Sequence, residues 1–593
     1  MAVWLGAASS TPPPSPLPLP AGSEIYFGPA PAGQAGGIDE GIQRFLSDTR
    51  EQLVGALHEL DVAWITDDLC RLARRGVRIH LAFEARYLGE EPNKTCLEKL
   101  TRAGVSVYPV KMPGLMHHKF LVSDRRRVLT GSANFTINCL YVNFNDLVRL
   151  DHPELADAYR DAFYRLIDPW SRRRPSAFPK RMEWAGGGHV SAWFSPGDPP
   201  PSEALLRGVE GAQSRLDFLI FAFSAPGISA EMSKAIGRKV QVRGIFDDAF
   251  ESECVWKDWK ALPFQWLWRR GADVKFDGRE AKLHHKCLVV DDRAVFTGSF
   301  NFSTGADRRN AENLLHLEHP AFAAAYRSRI HELWNRFPDR TGYELFLQER
   351  KKNPGAFPTW SAWRSKRAAT NRSPWVGRVE EVRTSGRLWV QASNHGAELT
   401  LLGCSFPEVG EPGFSQEPQA SLCREGVARR FAMRTVRVEE YPGHRAWLRF
   451  LDAGNESNAS LNEWALASGW ALPSPSLPEG LDGDRRGRLA TAATLATSHA
   501  RGIHQTQPPL QSPDAFRAAL EKRRLERTAL ERDLALPAFE SNACIADRRK
   551  GNFAEPGQAA WSDRYRDLGA ESLLFFRTPD LALKAGYRRC RDE

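Results

Sequence analysis

Two stretches of the sequence place a histidine and a lysine two positions apart, each beside a short apolar run. They occupy residues 116–124 and 283–291, and each is followed at the same spacing by Thr-Gly-Ser-x-Asn-Phe. A neutral imidazole can attack phosphorus, a protonated imidazole can protonate a leaving oxygen, and ammonium groups neutralise phosphate oxygens. The matching register predicts a duplicated unit in which two half-sites meet at a pseudo-twofold axis and form one pocket for phosphodiester cleavage.

Strand geometry decides which of these side chains share a face. Residues i and i+2 of an extended strand point the same way, so His117 and Lys119 are predicted to project together into the pocket. His118 then points to the opposite face, where packing or hydrogen bonding is its expected role. The corresponding residues of the second copy are His284, Lys286 and His285.

Polar residues downstream of each histidine complete the predicted constellation. Gly131 allows the backbone to approach a ligand closely, and the hydroxyl and amide groups that follow it can donate hydrogen bonds to phosphate oxygens. Asp124 and Asp291 lie at strand ends and are expected to fix backbone or lysine geometry rather than to act as general acids. The predicted phosphate-binding residues are Ser132, Asn134, Ser299 and Asn301.

The two stretches resemble the signature of the phospholipase D superfamily, His-x-Lys-x4-Asp followed by Gly-Ser-x-Asn. The resemblance covers roughly residues 20–336. It implies an α/β fold with two α-β-α repeats, a phosphohistidine intermediate on one signature histidine, and proton transfer by the other. It implies no metal or other cofactor. The catalytic residues that it implies are His117, Lys119, Asp124, His284, Lys286 and Asp291.

The first repeat departs from the family pattern further along the chain. Family members carry Asn-x-Glu-Asn, whose carboxylate orients a catalytic imidazole, and residues 310–313 match this motif with Glu312. The first repeat has Asn145 at the glutamate position, and the next residue, Asp146, is the alternative orienting carboxylate. An imidazole without a carboxylate partner is harder to protonate. The first repeat, with His117, is therefore favoured as the source of the nucleophile, and either histidine remains a candidate.

A second module follows the repeats. Between residues 373 and 506 the sequence changes to short alternating strands and a late helix, a pattern typical of a β-meander. Residues 402–408, 444–448, 460–469 and 500–504 resemble the turn, strand, helix and closing motif of staphylococcal-nuclease-like domains. That resemblance implies a small oligonucleotide-binding-type (OB-fold) barrel.

The same resemblance implies that the barrel has lost its own catalysis. The calcium-binding aspartates of that family are absent from residues 383–387 and from Ser405, and its phosphate-binding arginine is replaced by Thr400. Glu408 and Arg445 remain as a vestigial site, which without the ion cannot generate hydroxide effectively. The barrel is interpreted as a binding module, with a purely structural appendage as the alternative. The aromatic residues available for base stacking, unless they belong to the core, are Trp375, Trp389 and Trp447.

Charge and cysteine content narrow the class of protein. The 593 residues carry a formal net charge of +9, which favours a polyanionic partner such as nucleic acid or an acidic membrane surface. Nine cysteines without a Cys-x-x-Cys pair predict neither a disulfide framework nor a zinc site, and favour reduced thiols of a cytoplasmic protein. No stretch reaches the length of a membrane span, and the first residues lack the features of a secretory signal.

Shifts in composition predict the domain organisation. Residues 515–536 have the pattern of a charged amphipathic helix that could pack on the barrel, bind nucleic acid or form a dimer. The predicted order is a proline-rich lead (1–20), a first repeat (21–170), a second repeat (171–336), a polar linker (337–372), the barrel (373–506) and a helical C-terminal extension (507–593).

The leading functional hypothesis is a metal-independent phosphodiesterase that cleaves DNA or RNA, with the barrel holding the substrate. Trp266 and Trp268, beside Arg269 and Arg270, are candidates for contact with a nucleic acid. The first alternative is a phospholipase D or phosphatidyl transferase that acts on lipids, which the lack of an obvious membrane-docking helix disfavours. The second alternative is a nucleic-acid-binding protein without catalysis.

Overall fold

The computed structural model describes residues 18–30, 36–90, 92–168, 178–248, 263–277, 281–337 and, with short internal gaps, 375–498, together with some shorter stretches elsewhere, most of them beyond residue 500. The described chain forms two large mixed sheets, a β-barrel and two smaller sheets. The mixed α/β class expected from the sequence is therefore confirmed.

The first large sheet has seven strands in the order β1-β7-β6-β5-β2-β3-β4. Helices cover both of its faces, so neighbouring residues of a central strand enter different cores: Leu121 packs in one cluster, and Phe120 and Val122 pack in another. The strands are β1 (Ser23–Gly28), β2 (Gln52–Leu57), β3 (Arg78–Glu84), β4 (Ser106–Val110), β5 (Lys119–Ser123), β6 (Arg127–Gly131) and β7 (Asn145–Asp151). The helices are α1 (Ile38–Ser47), α2 (Ala63–Arg74), α3 (Asn93–Arg102), α4 (Ile137–Tyr141) and α5 (Pro153–Ile167), with a 3₁₀ turn at Ala85–Tyr87.

The second large sheet has eight strands in the order β12-β11-β10-β13-β14-β15-β9-β8. The strands are β8 (Met182–Glu183), β9 (His189–Ser195), β10 (Arg215–Ile220), β11 (Gln241–Phe246), β12 (Asp273–Phe276), β13 (Lys286–Val290), β14 (Ala294–Gly298) and β15 (Glu312–Glu318). The helices are α6 (Pro201–Glu210), α7 (Pro226–Gly237), α8 (Pro263–Arg269), α9 (Thr304–Arg308) and α10 (Pro320–Arg336).

The two large sheets share a strand order and a core. Read from β9 to β12, the second sheet repeats the order of the first, and the register at the signatures matches, because Lys119 pairs with Leu57 where Lys286 pairs with Ile220. Tyr159 of α5 and Tyr326 of α10 are fully buried in one cluster with residues from both sheets. Burial of this apolar surface holds the two halves together.

The barrel follows the two halves. Strands β16, β17, β18, β20 and β21 form a closed five-stranded barrel, because β18 also pairs with β21. Ser460 caps the helix α12 with a capping box to Glu463. The strands are β16 (Trp375–Val382), β17 (Arg387–Gln391), β18 (Gly396–Leu401), β19 (Cys404–Ser405), β20 (Thr435–Tyr441), β21 (Arg445–Asp452), β22 (Asn455–Ser460) and β23 (Leu472–Pro473), and the helices are α11 (Gln419–Phe431), α12 (Leu461–Ala467) and α13 (Gly483–Ser498).

Only part of the C-terminal extension is described, and that part is not mainly helical. It contains a four-stranded sheet of β24 (Cys544–Asp547), β25 (Asn552–Ala554), β26 (Leu573–Phe576) and β27 (Arg588–Arg589), with one helix, α14 (Pro579–Lys584). The prediction of a helical tail is wrong for these segments because β26 alternates into a small core of its own around Phe576. Several predicted segments lie wholly or partly outside the described residues: most of the helix 515–536, residues 1–17 of the lead (1–20) and residues 338–372 of the linker (337–372).

The structure also bears on the predictions about disulfide bonds and membrane spans. The cysteines within the described residues are free thiols, and Cys139 and Cys287 are buried. Every helix of the described chain is too short or too polar to cross a lipid bilayer.

Candidate active site

Each signature histidine lies just before the strand that carries its lysine. Lys119 opens β5 and Lys286 opens β13, and both are fully buried. Each lysine donates a 2.6 Å hydrogen bond from Nζ to the carbonyl oxygen of its own histidine, His117 or His284. The ammonium groups are thereby fixed beside the imidazoles, as the i, i+2 spacing predicts.

Backbone contacts connect the two signature segments. The N–H of His117 donates to the carbonyl of Ala311 at 2.9 Å, and the N–H of His284 donates to the carbonyl of Phe144 at 2.8 Å. The His117 segment of the first half therefore lies against the residue before β15 of the second half. The His284 segment of the second half lies against the residue before β7 of the first half. The two histidines therefore share one region of the molecule.

The acceptor that orients each imidazole comes from the opposite half. His117 Nδ1 is 2.7 Å from Glu312 Oε2, and His284 Nδ1 is 2.9 Å from Asn145 Oδ1. The expectation that Asn145 leaves the first repeat's histidine without a carboxylate is wrong, because the acceptors cross between halves. His284 is the imidazole with an amide partner, and His117 has the carboxylate.

Asp146 does not substitute for the missing glutamate. Its carboxylate accepts hydrogen bonds from His285 Nδ1 at 2.8 Å and from the hydroxyls of Thr297 and Tyr326. His118 makes the corresponding contact, 3.4 Å from Nδ1 to Asn313 Oδ1. The second histidine of each pair therefore points away from the pocket into a buried hydrogen-bonded layer, as expected from strand alternation.

The four predicted phosphate-binding side chains divide into two groups. Ser132 and Ser299 are fully buried: Ser132 Oγ donates to Asn145 and Asp146, and Ser299 Oγ accepts from the N–H of Asn313. Asn134 and Asn301 each have a buried Oδ1 without a hydrogen-bond partner. An amide oxygen accepts hydrogen bonds and cannot bind a phosphate oxygen, and the Nδ2 group of Asn134 already donates to Glu59 Oε2 at 2.6 Å. A phosphate-binding role for these four side chains therefore stays a prediction.

The structure does not bring Asp124 and Asp291 to the histidines. Both lie in the turns at the far ends of β5 and β13, with positive φ of 53° and 52°. Backbone hydrogen bonds hold the pKa of both carboxyl groups below their usual value. They fix the start of the adjacent strand, and they do not contact the lysines. Asp124 accepts from the N–H groups of Arg50, Glu51 and Gln52, and Asp291 from those of Gln213, Ser214 and Arg215.

Burial sets the protonation of the site. Removal from water lowers the pKa of both His117 and His284 well below the usual value, and the neighbouring lysines add to this effect. Burial also lowers the pKa of Lys119 to about 8 and raises that of Glu312 to about 7. His284 is therefore neutral at pH 7, and the pair of His117 and Glu312 carries a proton in about half of the molecules because the pKa of Glu312 is about 7.

Sequence reasoning missed two carboxylates that support the histidine segments. Glu84 accepts the N–H of Met116 at 2.6 Å, and Asp247 accepts the N–H of Leu283 at 2.7 Å. Glu84 ends β3, which lies next to β2, the partner of β5. Asp247 directly follows β11, which lies next to β10, the partner of β13. The sequence signal that could have indicated these two residues is an acidic residue at the corresponding position of both repeats.

The walls of the pocket differ between halves. His58 lies beside His117 with ring centroids 4.8 Å apart, and Phe221 takes the equivalent place beside His284 at 5.0 Å. The ammonium groups of Lys282 and Lys286 lie over the Phe221 ring, 5.2 and 5.0 Å from its centroid. The wall beside His117 is therefore the imidazole of His58, and the wall beside His284 is the phenyl ring of Phe221 beneath two ammonium groups.

The vestigial site predicted in the barrel is only partly described. Glu408 lies outside the described residues. Arg445 is half-buried in β21 opposite Thr400, and Ser405 is buried. Trp447 and Trp375 are core residues, whereas Trp389 remains partly exposed beneath the guanidinium of Arg383.

Comparison with known proteins shows the family to which the chain belongs. The model of the cardiolipin synthase PLD-like domain family matches residues 42–167 and 205–334. The mitochondrial cardiolipin hydrolase of Mus musculus is 31% identical over 147 residues, which are 25% of this chain and 63% of that protein. The enzyme of the same name from Xenopus laevis is 31% identical over 151 residues, 25% of this chain and 67% of that protein. The chain belongs to the phospholipase D superfamily.

Among solved structures, the chain is similar to Nuc from Salmonella typhimurium, a phospholipase D family member. The identity is 23% and the TM-score 0.23, with 25% of this chain and 96% of that chain covered. The chain spans less than two thirds of the length of the mouse relative, 63%.

Proposed function

We propose that this protein is a metal-independent phosphodiesterase that cleaves DNA or RNA through a phosphohistidine intermediate. The observation that carries the proposal is the exchange of imidazole acceptors between halves, His117 with Glu312 and His284 with Asn145, beside two buried lysines. Orientation of an imidazole through Nδ1 leaves Nε2 to react, which both a nucleophile and a proton carrier need.

The unequal acceptors assign the two roles. A proton carrier must be protonated when substrate arrives, and a carboxylate favours imidazolium more than an amide does. We therefore assign His117 as the general acid and His284 as the nucleophile, the reverse of the order that the sequence favours. Burial and the absence of a carboxylate keep His284 neutral, with its Nε2 lone pair available.

In the first step His284 Nε2 forms a bond to phosphorus and the bond to the leaving oxygen breaks. That oxygen takes its proton from His117. In the second step His117 removes a proton from water, the hydroxide bonds to phosphorus, and the phosphorus–nitrogen bond breaks to release the phosphate monoester. Lys119 and Lys286 stabilise the charge on the non-bridging oxygens in both steps.

Three features support a nucleic acid as the substrate. The chain has a net charge of +9, which suits a polyanion. The Phe221 wall with Lys282 and Lys286 offers an aromatic face and cations together. Outside the pocket, Trp266 is 41% exposed and Arg270 stacks over its ring at 4.7 Å.

The barrel supplies the proposed substrate grip. We interpret it as an OB-type barrel of staphylococcal-nuclease-like ancestry, and the two halves as repeats about a pseudo-twofold axis. The closed strand order and the capped helix at residues 461–467 support the first interpretation. The repeated strand order supports the second.

Turnover of labelled single- and double-stranded DNA and RNA in excess chelator tests the proposal. We expect the parent protein to cleave at least one of these, and His284→Ala to abolish cleavage. His331→Ala, a change at an exposed histidine of α10, is the matched control. Salt-dependent binding without turnover by the parent protein would support the non-catalytic alternative instead.

A second candidate function is hydrolysis of phospholipids. The names of two relatives, both mitochondrial cardiolipin hydrolases, favour it. Incubation with vesicles that contain cardiolipin, followed by assay for released phosphatidic acid or headgroup, distinguishes the two substrates. Lipid turnover lost in His284→Ala, without cleavage of any nucleic acid, would replace the leading proposal.

A further inference from the structure

A group of three potential ligands lies at the end of the second sheet remote from the active site. Glu318 ends β15, and His189 opens β9 directly opposite it in the antiparallel register. His316 lies two positions before Glu318, so its side chain points to the same face of the sheet. The nitrogen and oxygen donor atoms of the three residues all lie within 4.8 Å of one another.

The separations suit one metal ion. Glu318 Oε2 is 3.5 Å from His189 Nε2 and 3.7 Å from His316 Nε2. Donors bound tetrahedrally to zinc at about 2.0–2.1 Å lie about 3.3–3.4 Å from one another. These contacts are long for hydrogen bonds, and a small contraction would bring the donors to zinc-binding distance. We propose that His189, His316 and Glu318 form a zinc-binding site.

Neighbouring side chains hold two of the ligands in place. The ring of His316 stacks on Phe296, with centroids 4.4 Å apart and planes 5° from parallel. Arg293 binds the other carboxylate oxygen of Glu318 at 3.3 Å, which leaves Oε2 directed at the imidazoles.

The buried Nδ1 of His189 has no hydrogen-bond partner in the structure. This nitrogen is not the one that faces Glu318, so a zinc ion bound through Nε2 would leave it unpaired. Arg181, Glu183 and Arg293 are the other charged groups that influence His189. The carboxylates of Glu183 and Glu318 balance the charges of these two arginines.

The site joins the first strand residue of β9 to the last residue of β15. It stands about 20 Å from the proposed catalytic centre, because Glu312 and Glu318 lie on one strand that rises about 3.3 Å per residue. A zinc ion there clamps the two strands of the second half and stabilises the fold. It takes no part in phosphodiester cleavage, so this inference and the proposed function fail independently.

The test uses the full-length protein, freed of metal by chelator and dialysis and then titrated with Zn²⁺. We expect Glu318→Gln and His189→Gln each to bind one zinc ion fewer per chain than the parent, or to bind it at least about tenfold more weakly. Glu183→Gln and His331→Gln are controls at a neighbouring carboxylate and an exposed histidine, and both should match the parent. Far-ultraviolet circular dichroism establishes that each variant is folded.

Two further measurements use the parent protein and do not depend on any variant's stability. Zn²⁺ should raise the midpoint of its thermal unfolding. Co²⁺ should give the visible d–d absorption of a four-coordinate ion. Identical zinc stoichiometry and affinity in parent and Glu318→Gln protein, or no zinc binding by the parent, would overturn the proposal.

Discussion

The two halves of the candidate active site present the same histidine and lysine pair but orient the imidazoles differently. In one, a buried carboxylate of Glu312 accepts from His117; in the other, the amide of Asn145 accepts from His284. The wall beside the first imidazole is His58, and that beside the second is Phe221. The two halves thus carry the same chemical groups in different environments, and the environment sets the protonation of each imidazole, which is how one motif can serve two roles.

Loss of either histidine is the largest change that we predict. His284→Ala should reduce turnover by a factor on the order of 10⁴ or more, because no nucleophile remains. His117→Ala should cost about 10²–10⁴ with an ordinary substrate, because only proton transfer is lost. Single-turnover rates on the preferred substrate measure both effects.

An activated ester separates the two roles. Nitrophenolate leaves without a proton, so His117→Ala should still release one equivalent from bis(p-nitrophenyl) phosphate in a burst and then stop at the phosphohistidine. His284→Ala should give no burst. A burst in His284→Ala together with none in His117→Ala would show that the roles are the opposite of those proposed.

Substitutions of the two acceptors should each shift a different limb of the pH profile of kcat/KM. Asn145→Glu places a carboxylate on His284, raises its pKa, and should move the acidic limb upward by about one unit or more. Glu312→Gln removes the carboxylate from His117 and should move the alkaline limb downward. If both variants keep the parent's profile, the acceptors do not set the protonation of the imidazoles.

The buried Glu312 also predicts a pH dependence of stability. Burial raises its pKa from 4.5 to about 7 in the folded protein, so its bound proton stabilises the fold fully below pH 4.5. That contribution declines as pH rises toward about 7. Relative to Glu312→Gln, which cannot ionise, the parent should lose on the order of 1–3 kcal/mol across this window. Urea unfolding of both proteins at pH 4.5 and 7.5 measures it.

The smallest effect concerns the barrel. Of the three predicted stacking tryptophans only Trp389 is partly exposed, beside Arg383. Trp389→Ala should weaken binding of a single-stranded oligonucleotide by about 1–3 kcal/mol without changing the rate of the bound complex. Unchanged affinity in fluorescence anisotropy would favour a structural role for the barrel.

Sequence reasoning recovered the parts of the site that depend on local spacing. The lysine positions, the outward direction of His118 and His285, and the strands of the barrel all follow from alternation and turn signals. It did not recover contacts between distant segments: the pairing of His117 with Glu312 across halves, the support from Glu84 and Asp247, and the use of Ser132 inside the protein. Periodicity gives the face of a strand but not which segment of the chain meets that face.

The crossed orientation of the imidazoles makes each half an obligate partner of the other. A polypeptide cut between residues 168 and 178 would yield two fragments, each with a complete signature and neither with a correctly held histidine. Activity would then require reassociation, in the manner of fragment complementation. A substitution of the acceptor in one half likewise changes the orientation and protonation of the imidazole in the other half. A change of sequence in either half therefore alters the chemistry of its partner.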